Sequence, residues 1–346
     1  MTVLTPGHVL GRIRLIAPLG QGSMGVVWKG HHLSLDLPVA VKVVRSLDLS
    51  DPTRHRERLR REAQMAARLS HPGIVRVLDF VDDGEFPCLV MELVEGSTLD
   101  AYLRARGSFP ERTALLMAFH LAGALVAAHE AGILHRDIKP ANVLIGADGT
   151  LKLSDLGLAR PLADSSLTDH RNVMGTPLYM APELFTRTSQ PDPRCDLYSL
   201  GVVLYQLMTG APPFGGSTAQ VIHGHLHLGA DLGKIPEGSR HILSRLLDKE
   251  PRLRVGSARE LREMLRARVN QIDSSRLPGS GSRSGSLTRT HGSDSRLVER
   301  LERHLATESV ADGKTIVHTT GRERIIVGIL LGNLVAIGLF GWFRMS

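Results

Sequence analysis

Eight residues, His135-Arg136-Asp137-Ile138-Lys139-Pro140-Ala141-Asn142, bring together a carboxylate, an ammonium two positions on and a side-chain amide. Asp155-Leu156-Gly157 follows after two apolar runs, Val143-Leu144-Ile145 and Leu151-Lys152-Leu153, which flank Gly146-Ala147-Asp148-Gly149. Apolar runs around a glycine-containing turn read as a hairpin. A hairpin returns Asn142 and Asp155 to the same end, where an amide oxygen beside a carboxylate suits a hard cation such as Mg²⁺, completed by substrate phosphates and water. At the mouth of that site Asp137 is placed to accept the proton of an attacking hydroxyl, and Lys139 to offset charge on a transferred phosphoryl group. The chemistry implied is phosphoryl transfer. Asp, Asn and Lys are also ordinary loop residues, so the cluster needs partners elsewhere in the chain.

The elements that would supply them lie upstream. Leu19-Gly20-Gln21-Gly22-Ser23-Met24-Gly25-Val26-Val27 contains a GxGxxG pattern, which dinucleotide-binding folds also use. Such folds open a helix at the third glycine, whereas Val26-Val27-Trp28-Lys29 is β-branched and aromatic. The stretch therefore reads as strand, glycine turn, strand, with backbone N–H groups able to approach phosphate oxygens. A dinucleotide-dependent oxidoreductase is disfavoured for the same reason. Val39 to Val44 reads as a strand carrying Lys42 in an apolar run. From about Pro52 to Leu69 the spacing is helical, and Glu62 on that helix is within reach of Lys42.

His135 to Asn142 resembles the catalytic-loop motif of protein kinases, and Asp155-Leu156-Gly157 resembles their metal-binding motif, with Leu156 where Phe is usual. The resemblance covers roughly residues 11 to 266, and Lys139 is similar to the serine/threonine class. It implies an α+β, bilobal fold, with a small β-rich N-lobe to about residue 95 and a larger helical C-lobe over 96–266. Lys42, oriented by Glu62, would meet the α- and β-phosphates of ATP. Met91 would stand behind the adenine pocket, the backbone of Glu92 and Val94 would meet the base, and Leu19, Val27, Ala40 and Leu144 would wall it. Asn142 and Asp155 would hold Mg²⁺, with Mn²⁺ as a substitute. Thr168 would be an activating phosphorylation site that pairs with Arg136; the second such position is His170. Thr176 to Tyr179 would form the floor for an acceptor peptide, Asp196 would brace the catalytic loop, and Arg254 would pair with Glu183.

A chain of 346 residues with net charge +7 has room for a bilobal unit and a tail. Its basic residues are spread out, without the zinc-ligand or aromatic-basic patterns of nucleic-acid binders, so no nucleic acid is expected. Cys88 and Cys195 have no metal-ligand neighbours at short spacing and read as reduced structural thiols. Residues 267–324 read as a flexible juxtamembrane linker, in which Leu297, Leu301 and Leu305 hint at a short amphipathic helix. Ile325 to Phe343 is almost wholly apolar, and about 19 residues at a helical rise of about 1.5 Å span roughly 28 Å, the thickness of a bilayer core. The start of the chain lacks a signal-peptide pattern, and Arg322 and Arg324 fit the cytoplasmic side. The expectation is a single-pass, C-terminally anchored enzyme of the cell membrane with its catalytic part in the cytoplasm. Gly328, Gly332 and Asn333 would allow two such helices to pair as a homodimer. A catalytically silent, kinase-like membrane scaffold is the alternative from another class.

Overall fold

The computed structural model describes residues 4–22, 25–44, 52–83, 86–156, 177–186, 192–275, 300, 301 and 303. Ser23 and Met24, the loop positions Gly157, Ser165, Ser166, Thr168, His170, Gly175 and Thr176, and the apolar stretch 325–343 lie outside them.

The first 92 residues build an antiparallel sheet from β1 (Val9–Leu10), β2 (Ile13–Gly22), β3 (Gly25–His32), β4 (Leu37–Val44), β5 (Val77–Val81) and β6 (Cys88–Glu92), in the order β1-β2-β3-β4-β6-β5. The twofold alternation of strands sorts its side chains. Val39, Val41 and Val43 join Leu10, Ile13, Leu15, Trp28, Cys88 and Val90 in one core, while Ala40, Leu89 and Met91 face a second core under α1 (Pro52–Ala67). Lys42 shares the face of Ala40, so its ammonium is carried to the inner side of the sheet.

Glycine is required where β2 turns into β3. Gly25 has φ +149°, and a side chain there would run into the backbone carbonyl of Val43 on β4. Among the described residues no heavy atom lies within 4 Å of where a Cβ on Gly20 would sit, which leaves that part of the turn open to a ligand.

From Leu99 to Ser275 the described chain is mainly helical: α2 (Leu99–Arg106), α3 (Glu111–Glu130), α4 (Pro182–Thr186), α5 (Arg194–Thr209), α6 (Thr218–His227), α7 (Glu237–Leu246) and α8 (Ala258–Ser275). Between α3 and α4 the predicted hairpin is present as β8 (Val143–Gly146) and β9 (Leu151–Leu153), with β7 (Gly96–Thr98) added against β8. Among the described residues α3 is long and apolar enough to cross a membrane by length and composition. It is instead the central core helix, 78% of its apolar window buried, which is why it is hydrophobic all round. Cys88 and Cys195 are buried free thiols, and burial pushes the Cys88 thiol up to about 12.

Two boundaries differ from the sequence expectation. The run Ile74-Val75-Arg76-Val77-Leu78 reads as a strand by its β-branched residues, but β5 begins at Val77; Ile74 instead makes an isolated parallel bridge to Leu153, and the Val75 N–H donates to the Leu153 carbonyl at 2.9 Å. Those contacts tie the entry to the sheet onto β9. Helix α8 runs through the first nine residues of the stretch read as linker, to Ser275, with Val269 buried and Asp273 held by Arg112 Nε at 2.6 Å.

Candidate active site

The 135–142 loop is fixed by its apolar member. Ile138 is 2% exposed and belongs to the core of the helical lobe, which leaves Asp137 and Lys139 on either side of the anchor. Lys139 Nζ donates to Asp137 Oδ2 at 2.8 Å, and Asn142 Nδ2 donates to the same oxygen at 2.9 Å and to the Asp137 carbonyl at 2.8 Å. With its N–H₂ group so engaged, Asn142 keeps its amide oxygen as the side-chain acceptor, the atom type a hard cation takes. Ser154, at the end of the hairpin, donates through N and Oγ to the Asn142 carbonyl at 2.8 and 3.0 Å. The hairpin thus does what its pattern predicts: it brings Asn142 back beside Asp155.

A buried carboxylate holds the loop from below. Asp196, on α5, has a fully buried side chain and accepts from the N–H groups of His135 at 2.9 Å and Arg136 at 2.7 Å, and from His129 Nε2 at 2.9 Å. Burial pushes its pKa up, but the His129 hydrogen bond, the neighbouring imidazoles and the backbone donor outweigh that and hold it below the usual carboxylate value. His135 is buried; its Nε2–H donates to the Ser154 carbonyl at 2.9 Å and its Nδ1 accepts from the Asp137 N–H at 3.2 Å. Burial lowers its pKa, so the ring stays neutral. Arg136 and Asp155 sit at φ +59° and +60°, a backbone region that ordinary residues occupy at a cost. Two of the three described non-glycine residues with positive φ thus lie at this cluster, the third being Asp36.

Lys42 Nζ donates to Asp155 Oδ1 at 2.7 Å, joining residues 113 apart in sequence. The side chains are 12% and 28% exposed, so the pair sits partly out of water at the meeting of sheet and helical lobe. Leu156 is buried in the helical core, so the apolar replacement of Phe packs. Glu62 stands half-buried on α1, on the turn that carries buried Leu59 and Ala63.

The apolar walls converge as well. Ala40 and Met91 are buried in the core beneath α1, and Val27, Leu93, Val94 and Leu144 pack partly buried against it. Leu19 is 52% exposed at the outer end. Glu92 is clamped: Oε1 accepts from the Arg76 N–H at 2.8 Å and from Lys152 Nζ at 2.6 Å. Gln21 and Val26 are paired across the β2–β3 turn, as are Gly22 and Gly25.

On the other side of the loop, Arg254 Nη1 and Nη2 each donate to one Glu183 oxygen at 2.7 Å, with the arginine side chain wholly buried and Glu183 9% exposed. Arg254→Ala is expected to cost about 3–5 kcal/mol by stranding a buried carboxylate, read as a lower urea midpoint; the double variant Arg254→Met, Glu183→Leu should recover part of the loss. His225 is buried, donates through Nε2 to the Leu178 carbonyl at 3.0 Å and accepts the Tyr198 hydroxyl at 2.9 Å. Burial, with Lys249 nearby, lowers its pKa to about 4. The unfolded chain then binds a proton that the folded one refuses, so stability present above pH 6.5 is lost as pH falls from about 6.5 toward about 4, by at most about 1.4 kcal/mol per pH unit. His225→Gln should flatten that part of a plot of melting temperature against pH.

The structure brings Asp137, Lys139, Asn142, Asp155 and Lys42 into one cluster, and it places Asp196 and the Glu183–Arg254 pair as expected. Sequence reasoning missed His129, Ser154, Lys152 and His225. A histidine in the last turn of an apolar helix is the signal that could have found His129, since a buried imidazole needs a partner.

A protein kinase domain family model matches residues 13–266. The chain is 43% identical to the serine/threonine-protein kinase PknL of Mycobacterium tuberculosis over 203 residues, 59% of this chain and 50% of that one. It is 35% identical to the serine/threonine-protein kinase PknB of Mycobacterium leprae, covering 96% of this chain and 55% of the relative. It thus spans about half the length of the curated relatives it matches. Among solved structures it resembles the Mycobacterium tuberculosis PknI kinase domain, with a TM-score of 0.62 and 28% identity, over 77% of this chain and 100% of that one.

Proposed function

Because the chain belongs to the protein kinase family, in its bacterial Hanks-type branch, we propose that it transfers the γ-phosphoryl group of ATP to serine or threonine hydroxyls of proteins. The observation that carries this is the 2.7 Å contact of Lys42 with Asp155, which unites the β-rich and helical parts at one charged centre. Each of the two neutralises the other here; with nucleotide and cation present, the Lys42 ammonium would hold phosphate oxygens and the Asp155 carboxylate would hold the cation. Asn142 and Asp155 would hold Mg²⁺, or Mn²⁺ in its place, which supplies charge neutralisation on the phosphates. Asp137 orients the acceptor hydroxyl and takes its proton, held in place by its two donors. Lys139 offsets charge on the moving phosphoryl group. Gly20 to Val27 cover the phosphates, and Leu19, Val27, Ala40 and Leu144 with the Glu92 to Val94 backbone hold the base. Glu62 orients Lys42.

The catalytic unit is residues 11–266. Residues 325–343 are proposed as a transmembrane anchor, with the kinase unit in the cytoplasm, and phosphorylation of Thr168, paired with Arg136, as the activating event between two copies of a membrane dimer. The support for these is the apolar stretch, its glycine spacing and the loop sequence. Incubation of the full chain with labelled ATP, Mg²⁺ and a generic basic protein tests the activity. Label on serine or threonine is expected; nucleotide binding with no transfer under Mg²⁺ or Mn²⁺ would favour the silent scaffold. Partition into the membrane fraction, lost on truncation before 325, tests the anchor.

A further inference from the structure

The hairpin turn between β8 and β9 is covered by a piece of the chain's own tail. Leu301 is 1% exposed and belongs to the core cluster of the helical lobe, together with Ile145 and Leu151 of the hairpin. Arg300 Nη1 donates to the Ala147 carbonyl at 3.3 Å. Gly149 is buried although it lies in a turn, and a Cβ there would meet the Arg300 carbonyl group at 2.9 Å and the Leu301 nitrogen at 3.0 Å. The left-handed φ of +93° and the close backbone approach both call for glycine at this position. The same turn is tied to the segment that would meet the adenine: the Ala147 N–H donates to the Glu95 carbonyl at 2.8 Å, and Gly146 pairs with Gly96.

We propose that Leu301 is the anchor of an intramolecular latch, in which Arg300 and Leu301 of the tail dock on the β8–β9 turn of the catalytic lobe. Burial of one leucine is ample for a local closure that opens and reseals without unfolding the lobe. The chain is then tied to the lobe at Arg300 and Leu301 as well as through α8. If the proposed anchor at 325–343 holds, the stretch of sequence between the last docked residue and the anchor shortens from about 50 residues to about 20. That consequence rests on the anchor; the latch does not.

Hydrogen exchange of the full chain in detergent, comparing wild type with Leu301→Asp and Leu301→Met, tests the latch without reference to membrane attachment or activity. Leu301→Asp is expected to speed exchange of the Ala147 and Gly149 amides about tenfold or more while α3 keeps its protection, and Leu301→Met to behave as wild type. Equal exchange at the turn in wild type and Leu301→Asp would overturn the proposal. So would a loss of protection that spreads to α3, which would make Leu301 an ordinary member of the core.

Discussion

Asp137→Asn is expected to lower phosphoryl transfer to protein by about 10²- to 10⁴-fold, with nucleotide affinity held near the wild-type value. The amide is close to the carboxylate in shape, and its oxygen can still accept from Lys139 Nζ and Asn142 Nδ2, which lie 2.8 and 2.9 Å from Asp137 Oδ2. What the amide cannot do is take up a proton. The loop should keep its conformation, because its backbone is held by Asp196 and by Ile138 rather than by the carboxylate. Initial rates on a basic protein acceptor, beside calorimetric titration with nucleotide, separate loss of the base from loss of the site. Unimpaired transfer in Asp137→Asn would assign the acceptor proton to another group.

Asp155→Asn is expected to act through the cation, lowering transfer on the order of 10³-fold and raising the Mg²⁺ concentration needed for half-maximal rate. Lys42→Met should lower the rate through the nucleotide instead, raising the KM for ATP without shifting the Mg²⁺ requirement. The two substitutions break the same 2.7 Å ion pair, so a purely structural role for that pair predicts the same phenotype from both. Different dependences on metal and nucleotide are what the chemical assignment requires.

The parts of this site that were legible in the sequence are those in which local pattern and chemistry coincide. The apolar runs around Gly146 to Gly149 form the hairpin they predict, because alternation and a turn glycine act over a few residues. Lys42 in a strand of valines needs a carboxylate, and the sequence offered Glu62; the contact that the structure shows is with Asp155. The support shell was less legible, because it is assembled across the fold. The place of His129 in an apolar helix signals that it needs a partner, but nothing local to it or to Ser154 shows that the partners will be Asp196 and the catalytic-loop backbone. Lys152 looks like one polar residue of a short strand, yet it reaches Glu92, 60 residues earlier, at the end of β6. Leu297, Leu301 and Leu305 announced an amphipathic segment, but only the buried turn glycine on the other side of the contact showed where Leu301 goes. Boundaries were the weakest part. Helix α8 outruns its apolar pattern because polar contacts such as Arg112 with Asp273 carry it onward.

The central claim is that Lys42, Asn142 and Asp155 converge on one metal-bound triphosphate. A crystal structure of the protein with Mg²⁺ and a non-hydrolysable ATP analogue tests it most directly. The account predicts the cation between the triphosphate, the Asn142 amide oxygen and the Asp155 carboxylate, with the Lys42 ammonium moved from Asp155 onto phosphate oxygens. Nucleotide seated away from these three side chains, or Lys42 still closed on Asp155 with phosphates elsewhere, would contradict it.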